Sequence, residues 1–229
     1  MKKFLSLCLL LTVSLPVLAE PDFATRTKFK GVTLENPNFH IWGSSPIWDD
    51  QGTLHLFTAR WPSKVPFHPG WTTHSEIAHY TSKSPAGPWT DHGAIFKGDG
   101  VKGSWKRFAP HNPCIKLIDG KYVLTFIGND GPKGDKDASS RFPSNQRIGM
   151  AIADSPNGPW KLVGDKDGLI LERPTTQPEL WCNKSRCGVN NPALIKVGDK
   201  YHLYFKAMSE KQGPRRYGVA IADKITGPY

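Results

Sequence analysis

Short runs of aromatic and β-branched residues alternate with polar turn residues along most of the chain, and such runs read as strands. Three kinds of run recur. The first begins at Ser44-Ser45-Pro46-Ile47-Trp48, at His111-Asn112-Pro113-Cys114-Ile115 and at Asn190-Asn191-Pro192-Ala193-Leu194. A tight polar turn follows each time, Asp49 to Gly52, Asp119-Gly120 and Gly198-Asp199, and Asp-Gly between apolar runs predicts a hairpin. The second run is Leu54 to Phe57, Tyr122 to Phe126 and Tyr201 to Phe205. The third is Ile77 to Ser82, Ile148 to Asp154 and Tyr217 to Asp223, and each leads into a Gly-Pro-aromatic corner ending at Trp89, Trp160 or Tyr229. A fourth run follows twice, near Ala94-Ile95-Phe96 and Leu169-Ile170-Leu171.

Measured on Pro46, Pro113 and Pro192, the period is 67 to 79 residues. Four antiparallel strands at that spacing make one blade of a β-propeller, and blades bury their faces only by stacking around an axis. The expected class is therefore all-β, with blades of four antiparallel strands at about residues 40–105, 106–175 and 186–229. Three blades fall short of the roughly four to eight that close a ring, so the chain is expected to cover part of a propeller.

Composition agrees: 22 Gly, 20 Pro and 38% apolar residues in 229 suit many strands and tight turns, and argue against a helix bundle. The N-terminus changes the setting. Lys2 and Lys3 precede an apolar stretch from Phe4 to Leu18, and Val17-Leu18-Ala19 resembles a cleavage site. Residues 1–19 therefore read as a signal peptide, with a membrane anchor as the rival, and 20–229 as an exported domain, periplasmic or secreted. Once the signal is removed, no membrane partner is expected. In an oxidising compartment Cys182 and Cys187, which flank Asn183 to Arg186, are expected to form a disulfide. No histidine pair at zinc spacing accompanies them, and no metal site is read from the sequence. Cys114 reads as a buried thiol. The formal net charge of +10 is scattered, with no run of five basic residues, which argues against nucleic acid. It leaves an anionic carbohydrate, sulfated or uronic, among the candidate partners.

Strand alternation puts the start of the first strand, the end of the second and the start of the third on one rim. The long loops 60–76, 127–147 and 206–216 gather there, so the site is expected on that rim. Aligned on the prolines, Ser45 matches Asn112 and Asn191, and Ser44 matches His111 and Asn190. At the third strand, Glu76 matches Arg147 and Arg216. Glycoside hydrolysis needs two carboxyl groups, and Glu76, Asp130 and Glu210 are the candidate catalytic residues on this rim. Arg60, Trp61, His74, His111, Asn112, Arg147, Asn190 and Asn191 are the candidate sugar-binding residues. Trp71 lies on the same loop as His74, Arg215 and Arg216 could hold an anionic group, and Trp89 and Trp160 read as corner packing.

The Asn-Pro strand starts, the Asp-Gly-Lys-Tyr turn and the Ala-Asp-Ser-Pro-Xaa-Gly-Pro-Trp corner (Ala153 to Trp160) resemble the five-bladed propeller glycosidases. These are glycoside hydrolases of the family 43, 32 and 117 type, the arabinanase–levansucrase–invertase superfamily, and the resemblance covers residues 40–229. It implies a five-bladed propeller that hydrolyses a plant or algal polysaccharide or its oligosaccharides. It also implies an Asp general base just before the proline of the first strand, a second Asp that tunes pKa and a Glu acid in a later blade. Here Ser45, Asn112 and Asn191 precede the prolines, so the usual arrangement does not transfer. The residues call for no cofactor, although the resemblance allows a structural cation in the central channel. The rival expectations are a glycan-binding propeller without catalysis, and a lyase-type enzyme on the same scaffold using His74 or His111 as base.

Overall fold

A computed structural model describes residues 27–28, 31–131, 145–164, 166–185, 187–209 and 214–229. The expected signal peptide and Glu210 lie outside the described residues. All elements below belong to the unit Thr33–Tyr229.

Sheet one is a four-stranded antiparallel meander of β1 (Phe39–Trp48), β2 (Leu54–Pro62), β3 (Glu76–Ser82) and β4 (Thr90–Phe96). A short helical segment, α1 (Phe67–Thr73), lies between β2 and β3. Sheet two repeats the pattern with β5 (Phe108–Ile118), β6 (Lys121–Asn129) and β7 (Arg147–Ala153). Its fourth strand is split into β8 (Lys161–Leu162) and β9 (Leu169–Leu171), which both pair with β7. Sheet three contains β10 (Asn190–Val197), β11 (Lys200–Met208) and β12 (Arg215–Ala222). The expected all-β class with antiparallel sheets holds. Among the described residues no helix is long and apolar enough to cross a membrane.

Burial explains the order of the sheets. β2 and β6 are buried along almost their whole length, which requires cover on both faces. Along β6 the side chains alternate. Tyr122, Leu124 and Phe126 pack with Phe57 and Ile77 of sheet one. Val123 points the other way, into a cluster with Ile148, Met150, Leu194, Leu203 and Phe205 that joins sheets two and three. The outer face of sheet three leaves Tyr204, Tyr217, Val219 and Ile221 exposed.

The repeated corners share one backbone form. The peptide bonds Gly87-Pro88, Gly158-Pro159 and Gly227-Pro228 are all cis, and their glycines have φ of +86°, +87° and +92°. The corner tryptophans serve as packing. Trp89 donates its indole N–H to the Thr33 carbonyl at 2.8 Å, and Trp160 sets its edge on Phe57 of sheet one, 5.5 Å between centroids.

Trp105 acts as a wedge over sheet two. Its ring lies on Phe126 and covers Gly128 and Gly149, where a Cβ would strike the indole. Gly149→Ala is expected to cost about 1–3 kcal/mol by overpacking, because Gly149 has no positive φ and the collision is the whole effect. Urea unfolding checks this, and a change under about 0.5 kcal/mol would show that Trp105 swings aside at little cost.

The expected disulfide is corrected. Cys182 and Cys187 are both thiols, as is Cys114. Ser185 N–H donates to Cys182 O at 3.0 Å, and Gly188 N–H to Ser185 O at 3.4 Å. This places Cys182 in the apolar cluster between sheets two and three, whereas Cys187 Sγ lies 3.6 Å from Met208 Sδ. Cys114 is partly buried, and burial pushes its thiol pKa up.

Candidate functional site

The first strand of each sheet breaks its ladder at the same place. Pairing shifts between Trp42 and Ser45 in β1, between His111 and Cys114 in β5, and between Asn190 and Ala193 in β10. The extra residue sits with positive φ in every case: Gly43 at +62°, Asn112 at +46° and Asn191 at +52°. Gly and Asn tolerate that region best, so these residue types mark the bulges.

The bulges correct the repeat alignment. Trp42, His111 and Asn190 pair with Ala59, Ile127 and Lys206, so these three are the equivalent positions. Ser44 and Ser45 are not the counterparts of His111 and Asn112. The prolines mislead by two residues. Pro113 and Pro192 occupy bulges, where no N–H is needed, whereas Pro46 lies past its bulge in register with Leu56. Ser45 instead takes the N–H of Ile115 on its hydroxyl at 3.1 Å, tying sheet one to sheet two.

The bulges meet one another. A Cβ on Gly43 would lie 2.8 Å from Asn112 Oδ1, and Asn112 Nδ2 donates to Asn191 Oδ1 at 2.8 Å. Beside them opens a cavity of about 230 Å³. Trp42 and Trp71 form its aromatic wall, edge to face at 5.5 Å, and Trp71 meets the His111 ring at 5.3 Å. α1 carries Trp71 there and holds it with a 2.9 Å bond from its indole N–H to His68 Nδ1.

Behind the wall runs a one-way chain of hydrogen bonds. The Ala109 carbonyl can only accept, so His111 Nδ1 carries the proton it donates at 2.7 Å. His111 Nε2 then accepts from the Gln146 amide at 3.0 Å, and Gln146 Oε1 accepts from Asn190 Nδ2 at 2.7 Å. Burial pushes the His111 pKa down to about 4, which the Ala109 bond only partly offsets. Both ring nitrogens are occupied, so His111 is a fixed neutral strut with no lone pair left to act as base. The chain ends at Asn190, whose Oδ1 is buried and has no hydrogen-bond partner among the described residues, and Asn112 Oδ1 also lacks one. Lys206, the ladder partner of Asn190, and Arg215 also line the cavity and give it a cationic part. The Lys206 pKa is lowered by burial and by Arg215 beside it.

Of the expected sugar-binding residues, the cavity gathers His111, Asn112, Asn190 and Asn191. It excludes the others. Trp61 is fully buried under α1, against His40, Trp42 and Phe67, and has no face for a sugar. Arg60 is 5% exposed and donates to Glu76, Tyr80 and Asp91. Glu76 is bound through both oxygens, Oε1 by Arg60 at 2.9 Å and Oε2 by Lys97 at 3.2 Å. Asp130 accepts from Asn145 and from Arg147, which also reaches Glu172. His74 is exposed at the end of α1 and bonded to Thr73. Trp42, Gln146 and Lys206 were not legible as site residues, because their places depend on the bulge register and on the turn that brings Gly188 beside Gln146. Among the described residues no three His, Cys, Asp or Glu side chains converge to hold a metal, so they offer no ligand set for the channel cation that the resemblance allows.

No family model matches the chain, and no curated protein matches it. Solved structures do. Zg3597, a family 117 glycoside hydrolase of the marine bacterium Zobellia galactanivorans, superposes with a TM-score of 0.66 at 24% identity, over 88% of this chain and 58% of that one. Sucrose-6-phosphate hydrolase of Lactobacillus gasseri gives 0.58 at 16% identity, over 82% and 33%. The α-L-arabinofuranosidase of Lactobacillus brevis gives 0.56 at 13% identity, over 83% and 52%. The chain thus spans less than two thirds of each of these structures. The likeness is one of fold, and the fold is that of the propeller glycoside hydrolases.

Proposed function

We propose that the protein is an exported glycoside hydrolase that seats one sugar ring of a plant or algal glycan in the Trp42–Trp71 cavity. One observation carries this reading. An aromatic wall shares one cavity with the side chains of Asn112, Asn190 and Asn191, an apolar face beside polar groups that suits a sugar ring and its hydroxyls. The cavity is smaller than the roughly 300–1,000 Å³ of drug-sized sites, which suits a single ring. The fold shared with glycoside hydrolases and the signal-like N-terminus support the rest of the reading.

Hydrolysis then requires two carboxyl groups flanking the bond, roughly 5–9.5 Å apart. Glu76 and Asp130 remain the described candidates, and to act they must exchange their present cationic partners for substrate. A glycan-binding propeller is the second reading, favoured by one observation: among the described residues no carboxylate lines the cavity.

Sugar release from plant and algal polysaccharides and calorimetric binding, measured on the wild type and on Glu76→Gln, Asp130→Asn and Trp71→Ala, separate the readings. Trp71→Ala is expected to weaken binding about tenfold, ~1.4 kcal/mol. Turnover lost in a carboxylate variant with binding kept would place hydrolysis on that carboxylate. Turnover unchanged in both would remove Glu76 and Asp130 from the mechanism. Binding with no turnover in the wild type would establish the glycan-binding reading instead.

A further inference from the structure

Four basic side chains in the strands of the second and third sheets have acidic partners. Arg147 lies between Asp130 and Glu172, Lys196 on Asp119, Lys121 on Asp154 and Lys200 on Asp223. Among the described residues Lys116, Lys161, Lys206, Arg215 and Arg216 have none, and of these Lys206 and Arg215 stand together at the cavity. Both line the cavity, and among the described residues neither side chain has a hydrogen-bond or ion-pair partner. Their positions follow from register. Lys206 stands opposite Asn190 at the bulge of β10, and Arg215 opposite Met208 at the start of β12. Two cations in one concavity repel each other, and the lowered pKa of Lys206 reflects that neighbour as well as burial. The arrangement is favourable once an anion sits between them, and a guanidinium fork with an ammonium suits an oxyanion.

We propose that Lys206 and Arg215 form an anion subsite of the sugar cavity, which selects a glycan unit bearing a carboxylate or sulfate group. The inference rests on the carbohydrate reading above and narrows it to acidic glycans. The amide groups of Asn112, Asn190 and Asn191 would face ring hydroxyls, while the two cations take the charged substituent. The overall positive charge of the chain draws such ligands in the same direction.

Calorimetry on the full chain tests this with three probes: a galacturonate tetrasaccharide, a sulfated galactan tetrasaccharide and a neutral galactan tetrasaccharide, at low and at high salt. At least one charged probe is expected to bind roughly tenfold more tightly than the neutral one at low salt, with the preference shrinking at high salt. Which charged probe wins identifies carboxylate or sulfate. Lys206→Gln and Arg215→Gln are expected each to remove a several-fold part of the preference, whereas Arg216→Gln, off the cavity, leaves it unchanged. Since neither cation holds another side chain, melting temperatures should stay within a few degrees, which separates lost binding from lost folding. Equal binding of neutral and charged probes would overturn the anion subsite while leaving the carbohydrate reading intact. So would a preference that survives the Lys206→Gln/Arg215→Gln double variant. No binding or cleavage of any probe or polysaccharide would overturn the carbohydrate reading, and the subsite with it.

Discussion

Replacing Arg60 with methionine is expected to destabilise the fold by about 3 kcal/mol. Arg60 lies in a strand buried on both faces, yet it carries a charge. Its guanidinium is spread over three partners: Nε on Glu76 at 2.9 Å, and one terminal nitrogen on both the Tyr80 hydroxyl at 2.5 Å and Asp91 at 2.6 Å. Phe39 stacks under it at 4.2 Å. Burial alone would lower its pKa, but Glu76, Tyr80 and Asp91 outweigh burial and raise it. Methionine fills much of the volume but leaves the buried Tyr80 hydroxyl and two carboxylates without their cation. Removing one partner of a buried pair typically costs roughly 3–5 kcal/mol. The lower end applies because Glu76 keeps Lys97, and Asp91 is 38% exposed. For a domain this size the expected fall in melting temperature is about 6–12 °C. Arg60→Lys should lose somewhat less, since an ammonium keeps the charge but not the fork. A loss below about 1 kcal/mol in Arg60→Met would mean that water replaces the guanidinium, and that the cluster is not sealed.

Acidification is expected to weaken the fold steeply, starting below about pH 6.5, where an unfolded histidine takes up its proton. His79 and His111 are both buried and neutral. Burial first, then the neighbouring rings of His55 and His92, push the His79 pKa down to about 3. His79 Nε2 and His55 Nδ1 share a 2.9 Å hydrogen bond, the other nitrogen of His55 faces Asp49, and the His79 ring stacks on Phe57 and on His92. His111 is pushed down to about 4, chiefly by burial. Both folded-state values lie below the unfolded one, so the unfolded chain binds protons that the folded chain refuses. The contribution is whole above about pH 6.5 and is lost as pH falls toward 4 and then 3. From pH 7 to pH 5 each histidine would remove roughly 2 kcal/mol, a large share of a total stability of about 5–15 kcal/mol. Asp49 and Asp91 add to the trend at lower pH. Burial raises their pKa values, but the hydrogen bonds they accept outweigh it and lower them. Urea unfolding at a series of pH values gives the slope directly, and His79→Gln should reduce it by about one proton between pH 6 and pH 4. A flat profile from pH 7 to pH 5 would mean that both histidines accept protons in the folded state.

The strands were legible because their residues obey local rules. Leu54 to Phe57, Tyr122 to Phe126 and Tyr201 to Phe205 are the runs that became β2, β6 and β11. The Asp119-Gly120 turn and the Gly-Pro corners also specify local backbone forms, and they fall where expected. The site was half legible. Asn112 and Asn191 stand at bulges that favour asparagine, and reading them with Gly43 rather than with Ser45 would have put Trp42 in the right place. The roles of Arg60 and Arg147 were hidden because their partners are remote: Asp91 is 31 residues from Arg60, and Glu172 is 25 from Arg147. A loop arginine free to touch sugar and one bound inside a cluster look alike until the fold brings the carboxylates together. Trp61 and Trp71 differ only by the way α1 closes over the first and presents the second.

The shared bulge has a consequence for how such a protein diversifies. At each bulge the ladder already gives up its regular pairing, so the residue just before it is relieved of part of its duty to the sheet. Trp42, His111 and Asn190 occupy the same backbone position in three successive sheets, and they could hardly be less alike chemically. Each sheet thus contributes one interchangeable socket to a common cavity while its remaining strands stay alike. A lineage built this way can exchange what it recognises one socket at a time, and the scaffold does not have to be rebuilt with each exchange.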